Sequence, residues 1–167
     1  RKYQSEGGPT LKRCFDLLRR VSSIPAVDLQ VFLDAVIFNV LIGNHDAHSK
    51  NFSILYHGES YGLQEMDGNR LAPLYDLVST VHYPELSSQM AMKIGGEGDS
   101  EKLFPKHFEK LAEEVGLSRK MVSPRVWELA ETILEKIDHI NIENKFAREV
   151  ITLIKKRCHT FIGRFKV

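Results

Sequence analysis

The stretch that decides the fold is "LIGNHDAHSKNFSILY", residues 41–56. It passes from an apolar helix end into a polar loop, and then into residues typical of a strand. The loop holds two histidines, one aspartate, one lysine and two asparagines. A connection between two buried elements does not need so many ionisable and amide side chains. The loop is therefore the first candidate for a functional site.

The residues before this loop predict two helices. Leu11, Phe15, Leu18 and Val21 recur at helical spacing, and the run Ser22-Ser23-Ile24-Pro25 ends that helix. A second helix is predicted from about residue 26 to residue 42. Its sequence leaves little polar face, so we expect it at the centre of the domain. Its longest apolar stretch, residues 31–42, is interrupted by two polar residues and is too short to span a bilayer.

The residues after the loop predict a small β structure followed by helices. The segments "NFSILY" and "YGLQEM" flank a turn at 57–60 and lead into "RLAPLYDL", which indicates an antiparallel hairpin or meander with strands at 52–56 and 61–65. Residues 81–103 are expected to be irregular, with one strand at "QMAMKIG" and a mobile glycine loop at 95–98. Helices are predicted at 105–115, 124–138 and 144–164. The fold class is mainly α with a small β-hairpin or meander, as a single domain over residues 1–167.

Composition limits the classes of function. Lysine plus arginine number 23 against 22 aspartates plus glutamates, so the net charge of +1 gives no electrostatic preference for nucleic acid or membranes. The two cysteines, Cys14 and Cys158, lack metal-site or disulfide-framework spacing and are expected to be reduced thiols of a cytoplasmic protein. The first residues lack an apolar region, so we expect no signal peptide there. Because the first residue is not methionine, we expect the chain to be a piece of a longer protein.

Three oxygen-bearing side chains follow the pattern of a protein kinase. In the kinase catalytic loop, an aspartate engages the acceptor hydroxyl and an asparagine five residues later binds the metal together with a second aspartate. Here Asp46 and Asn51 are five residues apart, and the β segment ends at Asp76. A two-stranded return brings a second carboxylate back beside the loop. The pattern predicts phosphoryl transfer with Asp46 as the catalytic group.

The same residues permit other interpretations. Asp46 is also suited to capping a turn, and Asp76 to capping a short helix at 77–81. His45 and His48, together with Asp46, are also compatible with the metal site of a phosphohydrolase. The remaining histidines are scattered without a pattern, and most of them are expected at the surface.

A resemblance to a known family rests on three motifs in order: "KYQSEGGP", "LIGNHDAHSKNFS" and "LAPLYDLVS". Together they resemble the C-terminal lobe of the HipA family of bacterial serine/threonine kinases, whose better-known members are toxins of toxin–antitoxin pairs. The resemblance implies a two-lobed fold related to protein and lipid kinases. It implies that Asp46 is catalytic, that Asn51 and Asp76 bind Mg²⁺ on ATP, and that His48 and Lys50 face the phosphates or the aspartate.

The resemblance also implies what this chain lacks. The glycine-rich loop and the strand lysine of a kinase belong to an N-terminal lobe, on the same or a separate chain, that these residues do not contain. We expect the chain alone to bind Mg-ATP weakly and to show little or no activity. The implied partners are a protein substrate and a HipB-like DNA-binding antitoxin, without direct nucleic-acid or membrane binding. The alternative of another class is a non-catalytic scaffold for an antitoxin or other protein.

Overall fold

The computed structural model describes residues 1–56 and 68–166. This part of the chain is mainly helical with two small antiparallel sheets, which confirms the predicted fold class at that level. The helices are α1 (Leu11–Val21), α2 (Pro25–Ile42), α3 (Pro105–Val115), α4 (Arg119–Ile137) and α5 (Lys145–Phe165). The strands are β1 (Ile54–Leu55), β2 (Arg70–Leu71), β3 (Gln89–Ile94) and β4 (Glu97–Asp99).

Local chemistry sets the ends of the first two helices. The hydroxyl of Thr10 accepts a hydrogen bond from the backbone N–H of Arg13 (3.2 Å), which caps the start of α1. Pro25 is the first residue of α2, where its missing N–H costs nothing. Gly43 ends α2 in the left-handed conformation at φ 75°.

Helix α2 is the central helix, as predicted. By length and apolar composition it could cross a membrane, but 61% of it is buried inside the domain. The core helix of a folded domain has the same composition. Its polar residues are paired: the carboxylate of Asp28, for example, accepts hydrogen bonds from Arg70 at 2.9 and 3.1 Å. The structure thus accounts for α2 as the core of this domain.

The two sheets differ in part from the predicted β structure. Strand β1 pairs with β2, with Ile54 opposite Leu71, whereas the predicted strand at 61–65 lies outside the described residues. The strand predicted in "QMAMKIG" is confirmed as β3. The mobile glycine loop predicted at 95–98 is wrong, because Gly95 and Gly96 form the tight turn between β3 and β4, with φ 55° and 90°.

Helix α4 begins five residues before the predicted start at residue 124. Pro124 therefore lies inside the helix instead of at its first turn. Val122 and Val126, on either side of it, are both fully buried. Burial of these two valines offsets the hydrogen bond that a proline inside a helix removes.

A hydrophobic core joins α1, α2, β3 and the three C-terminal helices. Its largest fully buried side chains include Phe15, Phe32, Phe108 and Phe161. Cys14 and Cys158 are both free thiols, as predicted. The core fixes α2, and the C-terminal end of α2 delivers the polar loop to the surface.

Candidate active site

Asn44 connects the polar loop to the segment that carries Asp76. Its side-chain N–H groups donate to the side-chain oxygen of Asn39 (2.8 Å) and to the backbone oxygen of Asp76 (3.0 Å). Its own side-chain oxygen accepts from the backbone N–H of Asp46 (3.1 Å). Asn44 is only 5% exposed, so these bonds are protected from competition by water. One buried amide thus fixes Asp46 and Asp76 relative to the end of α2.

Thr80 holds the other side of the loop. Its hydroxyl donates to the backbone oxygen of Gly43 (3.1 Å) and accepts from the backbone N–H of His45 (2.8 Å). The backbone N–H of Val81 donates to the same Gly43 oxygen (3.1 Å). The first residues of the loop are therefore clamped against the segment that follows Asp76.

The side chains of Asn51 and Asp76 are in direct contact. The amide N–H of Asn51 donates to the carboxylate of Asp76. The amide oxygen of Asn51 accepts from the backbone N–H of His48 (3.0 Å), which fixes the orientation of the amide. Asp76 has φ 57° and is the one non-glycine residue with positive φ in the described chain. Backbone strain of this kind is concentrated at functional sites.

This geometry differs from a helix cap. Residues 77–79 are not helical, and the short 3-10 helix that follows is Thr80–His82. Asp76 therefore caps no helix at 77–81, and its carboxylate faces the loop because Asn51 binds it there. Two residues that are 25 positions apart meet as the β return requires.

The carboxylate of Asp46 is held by two side chains from the start of the chain. One oxygen accepts from the ammonium of Lys2 (2.9 Å) and the other from the hydroxyl of Tyr3 (3.0 Å). Asp46 and Tyr3 line an open cleft of about 160 Å³, together with His45 and Thr80. Asp46 is thus accessible to a hydroxyl group from outside.

His48 and Lys50 occupy different environments. His48 is 8% exposed, so its ring packs inside the domain, and its backbone N–H supports Asn51. Lys50 is exposed, and its backbone oxygen accepts from the hydroxyl of Tyr75 (3.0 Å). Lys50 is therefore free to reach a bound anion from the surface, whereas His48 supports the loop from beneath.

The ring of His45, which is partly buried, is held by two serines. Its Nδ1 lies 3.2 Å from the backbone oxygen of Ser87, and its Nε2 lies 2.8 Å from the hydroxyl of Ser100. Because a carbonyl only accepts, the neutral ring carries its proton on Nδ1 and accepts from Ser100. Burial lowers the pKa of His45, and the guanidinium of Arg157 lowers it further. Both ring nitrogens are engaged by protein atoms, which leaves the phosphohydrolase interpretation without its first ligand.

The residues fit a magnesium ion of the type found in kinases. Mg²⁺ prefers oxygen ligands and keeps several waters, so one carboxylate and one amide oxygen suffice from the protein when phosphates supply the rest. Asp76 and Asn51 are adjacent and carry these two oxygen groups; the Asn51 amide presents its N–H2 group to Asp76, while its oxygen accepts from His48. Within residues 1–56 and 68–166, no three His, Cys, Asp or Glu side chains are grouped so as to hold a metal by themselves. The donor set thus fits an ion shared with a phosphate ligand.

Four functional contacts were missed from the sequence: those of Lys2, Tyr3, Asn44 and Thr80. Lys2 and Tyr3 lie in the quoted "KYQSEGGP" motif, but nothing in the sequence indicates that they reach a residue more than forty positions away. Asn44 directly follows the glycine that ends α2, and this position could have indicated that it supports the loop. Thr80 has no such indication.

The fold and site define a helical domain that presents an Asp–Asn loop at the end of a central helix, beside a second aspartate, consistent with the C-terminal lobe of a kinase. The model of a protein family described as the HipA-like C-terminal domain matches residues 1–138. The chain belongs to this family, which confirms the resemblance seen in its three motifs.

The matching relatives are longer proteins. The chain is 46% identical over 139 residues to "Putative kinase Y4mE" of Sinorhizobium fredii, a match that covers 83% of this chain and 31% of that protein. It is 27% identical over 164 residues to "Serine/threonine-protein kinase toxin HipA" of Shewanella oneidensis, covering 93% of this chain and 36% of that protein. The chain therefore spans about a third of the length of these relatives.

A solved structure has the same fold. It is the HipA, HipB and operator DNA complex of the Shewanella oneidensis toxin–antitoxin system, which matches with a TM-score of 0.78 and 26% sequence identity. The match covers 95% of this chain and 37% of the chain in that structure. The domain is thus similar to a region of a HipA protein.

Proposed function

We propose that this chain is the C-terminal catalytic lobe of a HipA-like serine/threonine protein kinase, which transfers the γ-phosphate of ATP to a serine or threonine hydroxyl of a protein. The observation that carries this proposal is the contact between Asn51 and Asp76 beside the loop of Asp46. Residues that kinase chemistry needs together are far apart in the sequence and adjacent in the fold.

Asp46 is the group that engages the acceptor. Its carboxylate faces the cleft, and two of its roughly four lone-pair positions remain free to accept a hydrogen bond from the substrate hydroxyl. When the hydroxyl oxygen bonds to the γ-phosphorus, the bond from that phosphorus to the leaving ADP oxygen breaks and the proton passes to Asp46. Asn44 keeps the backbone of Asp46 fixed while this occurs.

Asn51 and Asp76 are the groups that would hold magnesium. Bound there, the ion supplies charge that offsets the ATP phosphates. The bond from the His48 N–H to the Asn51 oxygen holds the amide with its N–H2 group toward Asp76, and the second lone pair of that oxygen is the one that would meet the ion. Lys50, exposed in the same loop, is proposed as a lesser contributor to phosphate binding, whereas His48, whose ring is buried, acts through its backbone N–H to Asn51.

The relatives support the wider context of this proposal. One is named a serine/threonine-protein kinase toxin, and the solved neighbour is in complex with HipB and operator DNA. We therefore place this lobe in a toxin–antitoxin kinase in the cytoplasm, with an N-terminal lobe and a HipB-like antitoxin as partners. The antitoxin, and not this lobe, supplies the DNA contacts in this proposal.

The isolated lobe is expected to be nearly inactive. Asn51 and Asp76 supply two metal ligands, and the described residues contain no glycine-rich loop over the phosphates. Calorimetric titration of the isolated chain with Mg-ATP should give no binding in the micromolar range. A micromolar dissociation constant would contradict this expectation.

The test of the proposed function is Asp46→Asn in the assembly that contains both lobes. The substitution keeps the size of the side chain but removes its ability to take a proton, so phosphate transfer from radiolabelled ATP should be lost. Asp16→Asn, at an exposed carboxylate on α1, is the matched control and should leave transfer unchanged. Both variants should unfold at the wild-type temperature.

The same experiment separates the kinase from the scaffold alternative. If Asp46→Asn transfers phosphate at the wild-type rate, Asp46 has no catalytic role. If instead neither the wild-type assembly nor Asp46→Asn transfers phosphate, and both bind the antitoxin equally well, the chain acts as a binding module.

A further inference from the structure

We propose that Lys2 and Tyr3 are positioning residues that hold the Asp46 carboxylate in one orientation for phosphoryl transfer, and that this is the role of the "KYQSEGGP" motif. The inference rests on the proposed function. Its structural basis is one hydrogen bond to each carboxylate oxygen of Asp46, at 2.9 Å from Lys2 and 3.0 Å from Tyr3. We call residues 2–8 the N-terminal knuckle.

The glycines of the motif give the knuckle its shape. Residues 4–6 form one 3-10 turn, and Gly7 follows it with φ 85°. The backbone N–H of Gly8 then donates to the backbone oxygen of Tyr3 (2.8 Å), and a Cβ on Gly8 would lie 2.7 Å from that oxygen. A side chain at residue 8 would push the chain away from Tyr3. The two glycines therefore fix the direction in which Lys2 and Tyr3 project.

Strand β3 sets the distance between the knuckle and the loop. The backbone N–H of Lys93 donates to the side-chain oxygen of Gln4 (2.8 Å), and the backbone N–H of Ala91 donates to the backbone oxygen of His45 (2.8 Å). One strand thus binds the residue after Tyr3 and the residue before Asp46. Because both are attached to the same strand, Lys2 and Tyr3 are held against Asp46.

The contact is a weak source of stability, which favours a functional role. The side chains of Lys2 and Asp46 are both 38% exposed, and ion pairs of such exposure contribute little to folding. The hydrogen bond to Asp46 raises the pKa of Lys2, with partial opposition from burial, so its ammonium remains charged at neutral pH. Pairing with Lys2 and Tyr3 leaves room on each oxygen for a substrate hydroxyl.

Orientation of a catalytic group matters more to rate than to substrate affinity. A reacting group displaced by about 1 Å can cost on the order of a hundredfold in rate. Removing Lys2 or Tyr3 should therefore lower kcat and leave the KM for ATP nearly unchanged. If the knuckle had only a structural role, removing Lys2 or Tyr3 would lower the stability of the domain instead of kcat.

The first experiment tests the contact between Lys2 and Asp46 and needs no kinase activity. Competitive labelling of lysines with an amine-reactive reagent, followed by mass spectrometry of the chain, measures the reactivity of each ammonium. Asp46→Asn should raise the reactivity of Lys2, because it loses the partner that keeps it protonated. Asp16→Asn, which removes an exposed carboxylate on α1, should leave the reactivity of Lys2 as it was. Equal Lys2 reactivity in wild type and Asp46→Asn would overturn the proposal.

The second experiment tests catalysis in the two-lobe assembly. Lys2→Met and Tyr3→Phe should each lower kcat about tenfold or more, with the KM for ATP within about twofold. Lys2→Arg, which keeps the charge, should recover part of the rate, and Lys12→Met should match wild type.

The outcomes separate this inference from the proposed function. An unchanged kcat in Lys2→Met, or an increase that indicates an inhibitory contact, would overturn the positioning role while Asp46 remained essential. If instead Asp46→Asn keeps full activity while it still raises the labelling of Lys2, the contact between Lys2 and Asp46 exists and the catalytic role of Asp46 is wrong.

Discussion

Gly43 and Val81 are packed so closely that no side chain fits at residue 43. A Cβ built on Gly43 would lie 2.4 Å from Cγ2 of Val81, and the backbone of Gly43 has φ 75°. The same two residues share a backbone hydrogen bond of 3.1 Å. Because Gly43 ends α2, this contact sets the angle at which the chain leaves the central helix and enters the candidate active site.

Gly43→Ala should destabilise the domain by about 2 kcal/mol or more, because it adds backbone strain and a clash with Val81. Urea denaturation monitored by circular dichroism measures the change. The matched control is Gly163→Ala, because Gly163 lies in α5 and nothing is within 4 Å of its Cβ position. That control should stabilise by about 0.5–1 kcal/mol. Equal effects of the two substitutions would contradict the contact.

The helices were predictable because the sequence signals for each helix lie within or next to the helix itself. In α1 and α3 the apolar residues are periodic, and α2 is apolar on nearly every face between Pro25 and Gly43. The observed ends of all three helices lie within a residue or two of the predicted ends. Prediction failed where distant contacts decide. The start of α4 depends on burial of Val122, and the glycine turn after β3 depends on His107, whose backbone oxygen would lie 2.2 Å from a Cβ on Gly95.

The candidate residues in the loop could be named from the sequence, whereas the residues that hold the loop could not. Asp46, Asn51 and Asp76 stand out because their spacing follows a chemical requirement that the sequence displays. Lys2 and Tyr3 could not be placed, because their position depends on how β3 binds the knuckle and the loop at once. Supporting contacts of this kind arise from tertiary structure and have no periodicity of their own.

Arg70→Met should destabilise the domain, because it leaves the carboxylate of Asp28, 2% exposed, without its cation. Asp28 also accepts from the hydroxyl of Ser22 (2.6 Å) and the backbone N–H of Leu71 (2.9 Å), and so anchors the strand that leads to Asp76. The midpoint of urea unfolding should fall further than in Arg125→Met, where the paired Asp34 is 27% exposed. An equal or smaller fall would contradict the anchoring role.

The pH dependence of this effect has a definite sign. Burial raises the pKa of Asp28, but the hydrogen bonds from Arg70, Ser22 and Leu71 outweigh it, and the pKa lies below the ordinary 3.8. The contribution of Asp28 is therefore present above that pH and lost as the pH falls through the folded pKa. The difference in the free energy of unfolding between wild type and Arg70→Met should become smaller in this acidic range.

Both cysteines should be nearly inert to thiol reagents in the folded protein. Burial raises the pKa of Cys14 and of Cys158 to about 11. At pH 8 about one thiol in a thousand is then ionised, compared with roughly a quarter at the ordinary pKa near 8.5. Absorbance after addition of a disulfide reagent should rise at least about a hundredfold faster in urea than in buffer. Rapid native reaction that persists in Cys158→Ser would show that the thiol of Cys14 is accessible.

The stability of the domain should fall as the pH drops below about 6.5, and His45 should be one of its causes. The pKa of His45 is lowered, first by burial and then by Arg157, against the opposing effects of the Ser87 carbonyl and of Glu101 and Asp99. The unfolded chain therefore binds the proton more readily than the folded chain, and the contribution of neutral His45 is lost as the pH falls through its folded pKa. Urea unfolding at pH 7.5 and 5.5 measures this loss. His45→Gln should lose less stability over that interval than wild type, whereas His139→Gln, at an exposed histidine, should lose as much. If His45→Gln instead lost more stability than His139→Gln, the titrating group would lie elsewhere. The bonds from His45 to Ser87 and Ser100 would then have no effect on the protonation of His45.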